Sequence, residues 1–198
     1  MSQVFLVIFP VLPIRAWRAA VNRFAVALVL PDKVEQILDS LRGEYARHMK
    51  YIDIPHVTLA HPFALKADRG QIAERLKKVA EKTNPFSLTL NGIAYFEEES
   101  NVAYLAIADP KPVINLHCAI SRAISNITID DYGSKFSFPN FVPHVTIGVD
   151  IPAEILPKMK RSLSKATAHY ELRIMDLGLL AEDDAGTWEV AERFTLAG

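Results

Sequence analysis

Cysteine is nearly absent: Cys118 is the one thiol in 198 residues. That excludes a disulfide framework and any zinc site built on cysteine, and it fits a reducing, cytoplasmic setting. Cys118 stands in the apolar stretch Leu116 to Ile120 of a predicted helix, where it reads as a small buried hydrophobe rather than a reactive thiol. An excess of charge of either sign is also lacking, with 22 Lys and Arg against 23 Asp and Glu. No global basic field therefore supports sequence-independent binding to long nucleic acid, and a nucleic-acid substrate would be short or gripped locally. The apolar run from Val4 to Ile14 is broken by Pro10 and Pro13 and falls short of the roughly 20 residues that span a bilayer. No Lys or Arg precedes it, and Arg15, Arg18 and Arg23 follow it, which is the wrong order for a signal peptide. Residues 1–22 are read as an N-terminal apolar extension packed on the domain, with a peripheral membrane or dimer contact as the lesser alternative.

What is present is globular composition, 50% hydrophobic and 23% charged, over a length suited to one domain with a sizeable core. Residues 23–198 are read as a single bilobal domain. Phe24 to Leu30 is a buried strand, followed by a helix that carries Val34, Ile37, Leu38 and Leu41 at helical spacing and runs to about His48. Asp32 is its expected N-cap. Ile54 to Phe63 is a strand and Asp68 to Lys82 a helix. Phe86 to Phe96 and Val102 to Ala108 form a hairpin across the acidic link at 97–101. Pro112 to Ile127 is a helix, and 130–140 is a loop rich in Asp, Ser, Gly and Pro. Val142 to Val149 is a strand, Ala153 to Ser164 a helix, and Tyr170 to Ala181 with Trp188 to Leu196 a closing hairpin. A strand-helix-strand-helix unit thus occurs near each end, as in an internal duplication. The expected fold is α+β: two small antiparallel sheets, helices outside, enclosing a groove.

Each unit contains the same short string. Ile54-Pro55-His56-Val57-Thr58-Leu59-Ala60 recurs as Val142-Pro143-His144-Val145-Thr146-Ile147-Gly148. With six His and eight Thr in the chain, one His-apolar-Thr-apolar string arises by chance about 0.06 times, so two copies, each after a proline, require a cause. Alternate side chains on a strand share a face, so His56 projects with Thr58 and His144 with Thr146, while Val57, Leu59, Val145 and Ile147 point to a core that locks the register. Two imidazoles supply a base for a nucleophile and an acid for a leaving oxygen near neutral pH, and two hydroxyls can donate to the non-bridging oxygens of a phosphodiester. No metal ion or other cofactor is required for that chemistry.

The doubled His-x-Thr-x pattern, together with Phe24-Ala25-Val26-Ala27-Leu28-Val29-Leu30-Pro31 ahead of its first copy, resembles the 2H phosphoesterase superfamily in its 2′-5′ RNA ligase-like branch. The resemblance covers Arg23 to Leu196. It implies a bilobal fold with pseudo-twofold symmetry and hydrolysis of 2′,3′-cyclic phosphates, 2′-5′ linkages or related phosphodiesters on RNA ends or small nucleotides. It implies that His56 and His144 are acid and base and that Thr58 and Thr146 bind phosphate. Which histidine is the base depends on the polarity of the bound substrate; the resemblance favours His144 on water and His56 on the leaving oxygen. After the second motif this chain has Gly148-Val149-Asp150 where the RNA-end-processing members have a basic residue.

Other residues read as structural. His61, five positions after His56, belongs to the opposite face of an ideal strand, and a metal site with His56 lacks a plausible ligand set. His48, His117 and His169 are ordinary helix or strand-end histidines. Tyr51, Phe63, Phe138 and Phe141 flank the motifs and are candidates for stacking on a base, with core packing the expected role for at least two. Lys135 and Arg173 are candidates for steering an anion. No stable protein partner is expected and the oligomeric state is open. Two competing readings are a module that binds a nucleotide or phosphate ester without turnover, and a metal-dependent hydrolase or scaffold in which the histidines are incidental.

Overall fold

The computed structural model describes residues 23–97, 100–130, 137 and 139–198. The expectations for residues 1–22, Lys135 and Phe138 lie outside these. The elements run β1 (Phe24–Val29), α1 (Lys33–Arg42), a 3-10 turn (Gly43–His48), β2 (His56–Leu65), α2 (Arg69–Ala80), β3 (Phe86–Phe96), β4 (Val102–Ile107), α3 (Lys111–Ile124), β5 (Thr128–Asp130), β6 (His144–Gly148), α4 (Leu156–Leu163), β7 (His169–Ile174), β8 (Asp176–Glu182) and β9 (Trp188–Thr195). Among the described residues no helix is long and apolar enough to cross a membrane.

All strand pairs are antiparallel. Their order is β7-β3-β4-β6-β2-β1-β8-β9, with β5 paired to β2. The α+β architecture is as expected, but the two expected sheets are wings of one strand path. They meet where the two motif strands pair, in register at Val57 and Val145. Two similar series meet at that pair, β1-α1-β2-α2-β3 and β4-α3-β6-α4-β8, with β5 and β7 as additional strands inside the second and β9 after it; β3 pairs with β4 and β8 with β1, each in the other wing. The helices cross as well: α3 packs on β2 and α1 on β6.

One face of the sheet carries the main core. Phe24, Val26, Leu28, Val57, Leu59, Leu105, Val145 and Ile147 pack there with Val34 and Leu38 of α1, Ile72 and Leu76 of α2, Val113 and Ile120 of α3 and Met159 of α4. On the opposite face Ala25, Ala27, Val29 and Leu180 form a small second cluster with Ile54, Trp188 and Val190. This explains why β1 has no polar residue: it is covered on both sides.

Several boundaries differ from the sequence reading, each for a local reason. Helix α1 stops at Arg42 because Gly43 takes φ 45°, a conformation that costs side-chain-bearing residues about 1–3 kcal/mol, and the chain continues as a 3-10 turn. Asp32 is the N-cap but its carboxylate makes no capping bond, whereas Asp68 caps α2 through the Gln71 amide. The segment expected as one strand from Tyr170 is two, because the chain leaves β3 after Ile174 and joins β1 from Leu177 onward. The motif strands each bulge once at the same place. Leu59 is the extra residue between the pairs Ala27–Thr58 and Val26–Ala60, and Ile147 is the extra residue between Tyr104–Thr146 and Ala103–Gly148. A second irregularity in β2 falls between Ala60 and Phe63.

Because Val57 is fully buried at the one registered pair between wings, Val57→Ala is expected to lower the unfolding free energy by about 2 kcal/mol, two lost methyl groups plus a small cavity. Urea denaturation would measure this; a change within about 0.5 kcal/mol would mean that the junction does not carry stability.

Candidate active site

The four motif side chains lie on the face of β2 and β6 away from the main core. His56, Thr58, His144 and Thr146 are half-buried, while Val57, Leu59, Val145 and Ile147 between them are buried on the core side. The Val57–Val145 register sets His56 across from Thr146 and His144 across from Thr58, so each imidazole faces the hydroxyl of the other motif. The two imidazoles form a diagonal pair, which in a regular ladder is about 7–8 Å between backbone positions and somewhat less between side-chain origins. That is a span into which a tetrahedral phosphate fits with an imidazole on either side.

Both rings are held in the same way. His56 Nδ1 lies 2.6 Å from the Ile54 carbonyl and His144 Nδ1 2.8 Å from the Val142 carbonyl. A carbonyl only accepts, so Nδ1–H donates in both and the neutral ring keeps its lone pair on Nε2. The proline between tether and histidine, Pro55 or Pro143, holds the entry extended. Burial pushes the His56 pKa below its ordinary value of 6.5, with the Ile54 bond opposing. Burial does the same to His144, opposed by the Val142 bond and reinforced by the charge of His56.

His61 lies on β2, partly buried. The irregularities of β2 break the simple alternation between Thr58 and Phe63. Burial lowers its pKa to about 4, reinforced by His144, His117 and His56. The stretch after the second motif meets the chain that enters the first. Lys50 pairs with Val149 through two backbone bonds of 2.9 and 2.8 Å, and its ammonium lies 2.9 Å from the Asp150 carboxylate. Met49 covers Gly148 so closely that a Cβ there would strike its side chain. The chain entering the first motif is thus laid on the chain leaving the second.

Of the flanking aromatics, Phe63 stacks on Phe24 in the core, Phe141 stacks on the buried His117 at 3.9 Å, and Tyr51 is exposed with the Arg42 guanidinium 3.9 Å from its ring. Arg173 is exposed on the edge strand β7, separated from β6 by β3 and β4. Cys118 is half-buried on α3 rather than buried. Two residues that sequence reasoning missed pack on the site: Phe96 and Tyr104 stack at 4.3 Å, and both rings meet His144, at 5.2 and 5.0 Å. Tyr104 opposes Thr146 where Ala27 opposes Thr58. The signal was available in the alternation of Val102 to Ile107 but required knowing that β4 lies beside β6. Among the described residues no group of three or more His, Cys, Asp or Glu is placed to hold a metal ion.

A sheet with paired His-x-Thr strands at its centre and helices packed on its core face has the fold of several solved structures. Escherichia coli LigT in its apo form superposes with a TM-score of 0.64 at 18% identity, over 91% of this chain and 100% of LigT. A protein of Thermus thermophilus superposes at 0.57 with 18% identity, over 89% of this chain and 98% of that one. The sequence profile of the 2′-5′ RNA ligase superfamily matches residues 30–186, and the chain belongs to that family. Its relatives include a phosphoesterase, by provisional name, of Geobacillus kaustophilus, 28% identical over 179 residues, 89% of this chain and 97% of the relative. Another of the same provisional name, from Halalkalibacterium halodurans, is 27% identical over 175 residues, 87% and 96% of the two chains.

The lowered histidine pKa values carry a stability consequence. Between pH 6.5 and about 4, His61 binds a proton in the unfolded chain but not in the folded one. The stability it permits at neutral pH, up to about 3 kcal/mol, is therefore lost as pH falls through that window. His56 and His144 act in the same direction below 6.5. The urea midpoint is expected to drop between pH 7 and pH 4.5, and to drop less in His61→Gln; equal drops would refute the assignment to His61.

Proposed function

We propose that the chain is a metal-independent phosphodiesterase that opens 2′,3′-cyclic phosphates, or cleaves 2′-5′ linkages, of RNA ends or small nucleotides by acid-base catalysis between His56 and His144. The observation that carries this reading is the matched tethering of the two imidazoles, each with Nδ1–H fixed by its own strand's entrance and Nε2 left for the groove. Family membership and the provisional names of the relatives support phosphoester chemistry. LigT has been crystallised with 3′-AMP and with ATP, which supports a nucleotide as ligand.

With Nδ1 already protonated, a ring acts as base through the Nε2 lone pair and as acid only as the imidazolium, donating from Nε2. One histidine takes a proton from water as the water oxygen bonds to phosphorus, and the other gives its Nε2 proton to the ribose oxygen whose bond to phosphorus breaks. Burial opposes the imidazolium, and the negative charge of a phosphate between the rings restores it, so the acid is charged chiefly when substrate is bound. Thr58 and Thr146 donate to the non-bridging oxygens. The Phe96–Tyr104 pair offers an aromatic surface beside His144 on which a base or ribose can rest, whereas the corresponding position near His56 holds the small Ala27.

Nucleoside 2′,3′-cyclic phosphates, a 2′-5′ dinucleotide and a short RNA with a cyclic end form the test panel, assayed in EDTA. His56→Ala and His144→Ala are each expected to lower kcat by roughly 10²- to 10⁴-fold or more, with the fold retained by circular dichroism. Turnover that survives both single replacements, or that EDTA abolishes, would sink the reading. Micromolar binding of a cyclic nucleotide without turnover would instead establish the binding-module alternative.

A further inference from the structure

Among the described residues, two charged or ionisable side chains outside the motifs are almost completely buried, Arg42 at 2% and His117 at 5% exposure. The chemistry above uses neither. Their bonds are matched. His117 Nδ1 donates to the Leu59 carbonyl at 2.7 Å, and Arg42 Nε donates to the Ile147 carbonyl at 2.9 Å. Leu59 and Ile147 are the two bulged residues, each directly after its motif threonine. A bulge frees a backbone carbonyl from the ladder, and a buried carbonyl without a donor is costly, so each bulge needs a donor at that spot.

The donors come from the opposite halves of the chain. His117 lies on α3, in the second series, and holds the first motif strand; Arg42 lies on α1, in the first series, and holds the second. Each ring or fork also stacks on an aromatic that leads into a motif. Phe141 precedes His144 and lies on His117 at 3.9 Å, and Tyr51 precedes His56 and lies over Arg42 at 3.9 Å. Each side chain therefore touches both motif segments. Asp39 fixes the other end of the Arg42 fork at 2.8 Å.

We propose that Arg42 and His117 are a crossed pair of positioning residues, which cap the bulges after Thr58 and Thr146 and thereby set the spacing and aim of the two imidazole-hydroxyl pairs. This rests on the reading of His56 and His144 as acid and base. Apolar side chains of the same volume would fill the two sites but could not orient the bulge peptides. A misplacement of about 1 Å between reacting groups costs on the order of 100-fold in rate, so the effect belongs in kcat.

The test removes the donors and keeps the packing. Arg42→Met and His117→Phe, assayed on the cyclic phosphate that wild-type protein turns over best, are expected to lower kcat by roughly 10- to 100-fold with KM within about threefold. Arg42→Lys and His117→Asn keep a donor and are expected to recover most of the rate. Donor-less variants that fold and keep kcat within about twofold, or conservative variants that lose as much as the donor-less ones, overturn the proposal. A donor-less variant that does not fold is replaced by Arg42→Gln or His117→Gln, whose displaced amide donor is expected to lower kcat at least about fivefold; a smaller loss overturns it. The ring nitrogens are read separately in ligand-free protein by long-range 1H–15N spectra. Wild type is expected to show Nδ1 protonated in His56 and His144, and each donor-less variant to shift the signals of the imidazole on its own bulged strand. Wild-type protein that turns over no phosphodiester overturns the proposed function alone, and positioning then stands on the shifted ring signals or falls if they do not move.

Discussion

The junction of β2 and β6 is the constraint on which the rest depends. Two antiparallel strands that meet in register at Val57 and Val145 must carry their neighbouring residues on the opposite face, and those neighbours are the two histidines and two threonines. Slipping either strand by one residue would turn an imidazole and a hydroxyl into the core and expose Val57 or Val145. The hydrophobic side of the junction and the polar side are therefore one requirement. The exchange of β3 and β8 between wings serves the same end, since it ties each half of the chain to the other.

Symmetry in the backbone is not carried through to the surroundings of the two rings. Both are tethered at Nδ1 by the carbonyl two residues earlier, and both are discouraged from charging by burial. Yet Tyr104 and Phe96 press on His144, while Ala27 and Val29 stand beside the first motif. A substrate such as a cyclic nucleotide has a base at one end and a scissile oxygen at the other. On the proposed function, these unlike surroundings favour one polarity for such a substrate, and polarity decides which imidazole meets water.

Much of this was legible in the sequence because its signals are local. The repeated His-x-Thr string, the apolar alternation around it and the prolines ahead of it fix two strands and which face is polar, with no need of tertiary information. What escaped reading depended on distant partners. Nothing near Leu59 or Ile147 announces a bulge, because the extra residue is defined only against β1 and β4. Arg42 falls inside the helix expected to run to about His48, with nothing local to single it out, and it is buried because α1 packs on β6, over a hundred positions further along. Met175 looks like the middle of one strand, and the break there follows from the two wings competing for the same stretch.

The buried donors are the more telling for that reason. Burying a guanidinium carries a desolvation cost that hydrogen bonds and an ion pair must offset, and Arg42 has both, to the Ile147 carbonyl and to Asp39. Here a single donor reaches a carbonyl that the bulge takes out of the ladder, at a peptide immediately after a threonine of the motif. The imidazole of His117 meets the same need in the other strand, with different chemistry and the same placement. Two unlike residues at equivalent stations argue that the carbonyl, rather than the identity of its donor, is what the fold must satisfy, and that the bulge is part of the site rather than an accident of the sheet.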